Sequence, residues 1–200
     1  TVTPIQLVSA YNAIANGGIL MKPQIIEKRI KSNGDEEENN PKEIRRAISQ
    51  SAAFKISQML LSVVANGHGK KAAVPGYLVA GKTGTAQIAS TKKRGYEEGK
   101  HIGSFVGFAP VDNPRFTMLI RIDNPKNVEW AESSAAPVFG ELMRFMLEYY
   151  NIEPSEKYTQ KDQDIFNQTH NFKEFLMQKE KEDQAVLEKE ENKKNENEKE

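Results

Sequence analysis

Cysteine is absent from the 200 residues, which excludes disulfides and thiolate metal sites. Histidine is scarce. His68, His101 and His170 lack the spacing of a metal-ligand set. No apolar run approaches the roughly 20 residues of a membrane span, and no secretory leader pattern is visible. Charge of one sign is missing too, since 28 Lys and Arg balance 28 Asp and Glu. No arginine-rich patch carries interleaved aromatics, so nucleic acid is not an expected partner. The balance hides an asymmetry. Residues 155–200 hold 9 Lys against 13 Asp or Glu, and the rest holds 19 basic against 15 acidic side chains. From Gln178 onward the chain is almost all Glu, Lys, Asn, Asp and Gln. Such a segment buries too little apolar surface to offset its ordering entropy. The expected organisation is therefore a domain over residues 1–150 and a charged tail over 151–200. The tail is expected to be disordered or a solvated helix, with one weak amphipathic helix through Ile165, Phe166, Phe172, Phe175 and Leu176.

What is present is concentrated in Val79-Ala80-Gly81-Lys82-Thr83-Gly84-Thr85-Ala86-Gln87. This run places an ammonium, two hydroxyls and two glycines on one short segment. Gly76-x-x-x-x-Gly81-Lys82-Thr83 matches the phosphate-binding P-loop letter for letter. That loop needs a glycine-rich nest followed by a helix starting at Gly-Lys-Thr. Tyr77, Leu78, Val79 and Ala80 are instead bulky and β-prone, and Gly84-Thr85 makes a poor first helical turn. The strand reading explains more. Period-2 alternation puts Thr83 and Thr85 on one face and Lys82 on the other. Gly84 leaves room for the backbone of an extended peptide laid along an edge strand.

The remaining elements follow from periodicity and punctuation. Thr3, Pro4 and Gln6 form a capping box with proline at the first helical position. Leu7, Val8, Tyr11, Ile14 and Ala15 give that helix one apolar face, and Asn16-Gly17-Gly18 ends it. Residues 19–30 read as extended and 31–42 as a polar, acidic loop. A second helix is expected over 51–65, with Ala53, Ile56, Leu60, Val63 and Val64 inward. Strands are expected over 77–88, 102–109 and 116–123. A charged loop is expected over 92–101, and a hairpin turning at Asp112-Asn113-Pro114. Ser134 is expected to cap a last helix whose buried stripe is Val138, Leu142, Phe145 and Tyr149. His68 reads as a loop residue, and Trp130 as a packing residue with lining the pocket as the alternative. Glu132 and Asp123 form no recognisable acid–base pair. The expected class is α/β, an antiparallel sheet flanked by helices.

Several segments together resemble the transpeptidase domain of class B penicillin-binding proteins. They are Thr3-Pro4-Ile5-Gln6-Leu7 through Asn16-Gly17-Gly18, and Gly69-Lys70-Lys71-Ala72 with Val74-Pro75-Gly76-Tyr77. The Ala80–Gln87 run, Ser104 through Pro110, and Ala135-Ala136-Pro137-Val138-Phe139 complete the set. Lys-Thr-Gly is one of three motifs of this serine acyltransferase fold. The other two, Ser-x-x-Lys at a helix start and Ser-x-Asn, have no counterpart in the matching segments. Ser90-Thr91-Lys92-Lys93 fits the first in letters alone, among polar residues that give no helix. The chain also opens on Thr, so the expectation is the C-terminal part of a transpeptidase domain, lacking its nucleophile and inactive alone.

The resemblance implies the roles of the site residues. Lys82 lies under the pocket and supplies positive potential. The Thr83 and Thr85 hydroxyls bind the terminal carboxylate of a D-Ala-D-Ala stem peptide. The Thr85 backbone N–H is one oxyanion donor. Gly84 lets substrate approach, and Gln87 contacts the donor peptide. No metal or cofactor is implied. The implied partners are peptidoglycan stem peptides, β-lactams as inhibitors and other cell-wall synthesis proteins. A membrane anchor upstream is implied, with the domain on the extracytoplasmic side of a bacterial cell membrane. A D,D-carboxypeptidase, a β-lactamase, a β-lactam sensor or a non-catalytic wall scaffold would share the fold.

Overall fold

The chain is seen in a computed structural model that describes residues 2–91, 94–126, 128 and 130–155. The amphipathic helix expected through residues 165–176 and the charged run from Gln178 lie outside them. Helix α1 spans Pro4–Ala15. The Thr3 hydroxyl accepts from the Gln6 N–H at 3.3 Å, and the Gln6 side chain accepts from the Thr3 N–H at 2.9 Å. The capping box therefore forms as the sequence requires. Thr3→Ala should lower unfolding stability by about 0.5–2 kcal/mol, the usual cost of a lost N-cap. The urea midpoint of the full-length protein measures it, and an unchanged midpoint would mean that α1 is held by packing alone.

Short strands β1 (Ile19–Met21), β2 (Lys28–Ile30), β3 (Glu36–Glu38) and β4 (Glu43–Arg46) follow. The pairs β1–β4 and β2–β3 are each antiparallel. The acidic loop expected over 31–42 thus contains a strand. Asn33-Gly34 is a hairpin signal that outweighs polarity. Gly34 takes φ +89°, and the Asn33 side-chain oxygen accepts from the Asp35 N–H at 3.1 Å. Opposite charges then complement each other across the hairpin, with Lys28 3.0 Å from Glu36.

Helix α2 spans Gln50–Asn66 and is capped by Ser49, whose hydroxyl accepts from the Ala52 N–H. A 3₁₀ turn at Lys70–Ala72 leads to strands β5 (Ala80–Ala89), β6 (Tyr96–Ala109) and β7 (Phe116–Asp123). These form one antiparallel sheet in the order β5-β6-β7, so β5 is an edge strand among the described residues. Strand β6 begins six residues earlier than expected and takes in much of the charged loop, because Tyr96 and His101 pair with Ala89 and Gln87 of the long β5. The turn between β6 and β7 falls over Asp112-Asn113-Pro114, as expected.

Helix α3 spans Ala135–Tyr149. Its buried positions are Ala135, Ala136, Phe139, Gly140, Met143 and Leu147. The expected stripe was out of phase, since Phe145 and Tyr149 are exposed and stack on each other at 5.8 Å. Both sets repeat at helical spacing, and the sheet selects between them. Phe139 meets the fully buried Phe105 of β6 at a ring separation of 4.6 Å. Ser134 holds the N-cap position without capping, because its hydroxyl donates back to the Trp130 carbonyl at 3.1 Å.

The core has two parts, one on each face of the sheet. Phe105, Phe139, Met143, Leu147 and Val79 anchor the α3 side. Leu60, Ala80 and Phe108 anchor the other, with Tyr11, Ile14 and Ile56 of α1 and α2 packed against them. The architecture is the expected antiparallel sheet flanked by helices. Gly81-Lys82-Thr83 lies inside β5, and no helix starts there. The P-loop geometry is thereby excluded.

Candidate active site

Strand alternation determines where each side chain of the edge strand goes. Thr83 pairs with Phe105 and Thr85 with Gly103, on the face covered by α3. Lys82 pairs with Val106 and shares the opposite face with Ala80 and Phe108. Among the described residues no further strand lies beside this edge, so the lysine can bend round the margin. Its Nζ donates to the Thr83 carbonyl at 3.0 Å and to the Thr83 hydroxyl at 3.3 Å. Lys82, Thr83 and Thr85 consequently line one cavity of about 450 Å³. That size suits a small ligand.

Hydrogen-bond counting defines what this wall presents. A hydroxyl carries one proton and accepts through its oxygen. The Thr83 oxygen accepts from Lys82, and the Thr85 oxygen accepts from the Ala131 N–H at 3.3 Å. Each threonine therefore keeps its own proton to donate. The ammonium has three protons, of which two point at Thr83. Two O–H donors and a cation at the edge of a sheet make a receptor for an oxyanion such as a carboxylate or phosphate.

The other sequence-selected residues sit differently. Gly84 is flush with the sheet, and a Cβ there would lie 2.8 Å from the Ser104 hydroxyl, which donates to the Gly84 carbonyl. The neighbouring strand alone thus accounts for a glycine at this position. Gln87 is exposed opposite His101 and does not line the cavity.

The sequence pointed to one wall of the cavity and offered only Trp130, as an alternative to packing, on the other. The second wall is His68, Trp130, Ala131 and Glu132. Trp130 is not a packing residue, since it is 60% exposed. His68 is more than a loop residue. Its Nδ1 lies 3.0 Å from Glu132 Oε2, and an ionised carboxylate can only accept, so Nδ1–H is the donor. Next to Glu132, the Ser133 hydroxyl accepts from Lys71 at 3.1 Å. Three consecutive residues of this loop are therefore tied down, Ala131 to β5, Glu132 to His68 and Ser133 to Lys71. Gly103 permits the close approach, because a Cβ there would meet the Ser134 hydroxyl at 2.5 Å. No sequence signal joins His68 to Glu132 across 64 positions. Among the described residues no group of acidic, His or Cys side chains could hold a metal ion.

Comparison with known proteins bears on the same residues. Positions 1–144 match the family described as penicillin binding protein transpeptidase domain. Stage V sporulation protein D of Bacillus subtilis is 39% identical over 164 residues, covering 80% of this chain and 25% of that protein. Peptidoglycan D,D-transpeptidase FtsI of Buchnera aphidicola (subspecies Baizongia pistaciae) is 36% identical, covering 76% of this chain and 26% of that protein. The chain spans about a quarter of the length of these curated relatives. Among solved structures, penicillin binding protein 3 of Mycobacterium tuberculosis complexed with ampicillin superposes with a TM-score of 0.71 at 34% identity. The overlap covers 78% of this chain and 36% of that one. The transpeptidase domain of penicillin-binding protein 3 from Burkholderia pseudomallei gives 0.65 at 34% identity, over 78% of this chain and 45% of that one.

Proposed function

The chain belongs to the transpeptidase-domain family of penicillin-binding proteins, and on that premise we propose that it is the substrate-holding part of a peptidoglycan D,D-transpeptidase. The observation that carries the reading is the edge strand whose ammonium and two hydroxyls open on one cavity. The anion it receives is the terminal carboxylate of a D-Ala-D-Ala stem peptide, or the equivalent carboxylate of a β-lactam. Thr83 and Thr85 donate their hydroxyl protons to it, and Lys82 supplies the positive potential. The stem backbone lies along the free edge of β5, as in strand addition. The Thr85 N–H is one donor to the oxyanion that develops on the attacked carbonyl. Gln87 has a weaker part in this scheme, as an outlying contact to the donor peptide.

The chemistry is acyl transfer in two steps. A serine hydroxyl from the longer protein attacks the carbonyl between the two D-alanines. An ester forms, the peptide bond breaks, and the terminal D-alanine leaves with the serine proton on its nitrogen. The amine of a neighbouring stem then attacks the ester, so that an amide forms and the serine is regenerated. Among the described residues none is placed to be that nucleophile. The longer protein is proposed to be anchored in the bacterial cell membrane with this domain facing the wall, where other cell-wall synthesis proteins are its partners. No described helix is long and apolar enough to cross a membrane.

A fluorescent penicillin tests both halves of this reading. The full-length protein should take one covalent label, and the 200-residue chain alone should take none. Stoichiometric labelling of the chain alone would place a nucleophile within it. An unlabelled full-length protein would sink the transpeptidase assignment.

A further inference from the structure

The cavity has a second polar wall that a carboxylate receptor does not need. Glu132 adds a negative charge to a space already given to binding an anion. For a ligand that is only an anion, this arrangement is repulsive. For a zwitterion it is complementary, with Lys82 contributing one pole from the strand and Glu132 the other from the loop.

We infer that Glu132, held by His68 and flanked by Trp130, receives a protonated amine carried by the same molecule whose carboxylate binds at Lys82, Thr83 and Thr85. The inference rests on the transpeptidase reading and specifies its donor substrate as a stem peptide with a free ammonium group. Three observations support it. Glu132 uses Oε2 for His68, and its other oxygen makes no hydrogen bond among the described residues. Its side chain remains 38% exposed, open to a ligand. Trp130, two residues away, presents a largely exposed indole to the same cavity, and an aromatic face attracts an ammonium ion. The loop is preorganised, because both neighbours of Glu132 are tied, Ala131 to Thr85 and Ser133 to Lys71.

The competing explanation is that Glu132 is only a latch for His68. Glu132→Gln separates the two, since a glutamine oxygen still accepts from Nδ1–H while the charge is gone. Ampicillin and benzylpenicillin are suitable probes. They differ by one protonated amine on the side-chain carbon, and both present the carboxylate to the strand. Rates of acylation are measured on the full-length protein and on its Glu132→Gln and Glu132→Asp variants. Glu132→Gln should lower the ampicillin-to-benzylpenicillin rate ratio about 3- to 10-fold, as expected for a part-exposed ion pair with an aromatic contribution. Glu132→Asp should restore much of the ratio. An unchanged ratio, whether both rates fall together or neither moves, overturns the inference and leaves the latch. An effect confined to transfer from the acyl-enzyme puts the amine on the acceptor and also overturns it. If neither penicillin acylates the unsubstituted protein, the transpeptidase reading itself fails, and this inference falls with it.

Discussion

Lys82→Ala should slow acylation of the full-length protein by benzylpenicillin about 10²–10³-fold, the loss typical when one preorganised electrostatic contact to a reacting group is removed. The expected loss is large because the side chain acts twice. Its charge attracts the ligand carboxylate inside a cavity where screening by water is reduced. Its hydrogen bond to the Thr83 hydroxyl also occupies that oxygen and so directs the hydroxyl proton toward the ligand. Alanine removes both, and an unpaired Thr83 hydroxyl can then turn toward its own strand. Lys82→Arg keeps the charge but substitutes a planar fork for a compact ammonium, so a smaller loss is expected. Acylation within about threefold of the unsubstituted protein, far below the usual cost of such a contact, would make Lys82 an ordinary strand residue and remove the receptor from β5. A cell in which Lys82→Ala supports normal wall growth would point to a non-catalytic scaffold instead.

How much of this was legible in the sequence depends on the range of each interaction. The edge strand was legible because alternation is local, and Lys82, Thr83 and Thr85 occupy the faces that period 2 assigns. Helix α1 was legible because Thr3 and Gln6 cap it three residues apart. Helix α3 was legible as a helix but not in phase. Its arc is apolar over both Val138–Leu142 and Phe139–Met143, and only Phe105 on a distant strand decides between them. The β2–β3 hairpin was hidden by its acidic composition, although Asn33-Gly34 carried the signal. The second wall of the cavity was legible only in Trp130, as the alternative to packing. His68 follows one helix and Glu132 precedes another, and neither position has a local reason to face the other. The lysine's reach round the strand was likewise hidden, since alternation gives a side chain's starting direction but not where a long flexible chain ends.

Phe105→Ala should destabilise the protein by about 3–5 kcal/mol, the usual cost of emptying a buried aromatic site. That is a large share of the roughly 5–15 kcal/mol by which a domain is normally stable. Phe105 is fully buried, its ring lies against Phe139, and Gly81 lies beneath it. The residue therefore couples α3 to the strand that carries the site. Gly81→Ala tests that coupling from the other side. A Cβ at position 81 would stand 2.5 Å from the Phe105 ring and 2.9 Å from the Val106 carbonyl oxygen. A fully buried ring has nowhere to go, so the strand must shift, at about 1–3 kcal/mol as for other overpacked sites. In the Phe105→Ala background the ring is gone and the added methyl enters the space it left. Gly81→Ala should then cost less, with only the contact to the Val106 carbonyl left to relieve, and the two substitutions should be non-additive in urea midpoints of the full-length protein. Additive costs would mean that ring and strand do not share the space. The same shift of β5 moves Lys82 and Thr83 relative to the Ala131 N–H that holds Thr85. Gly81→Ala alone should therefore lower acylation by more than its effect on stability explains, because the three anion donors no longer converge.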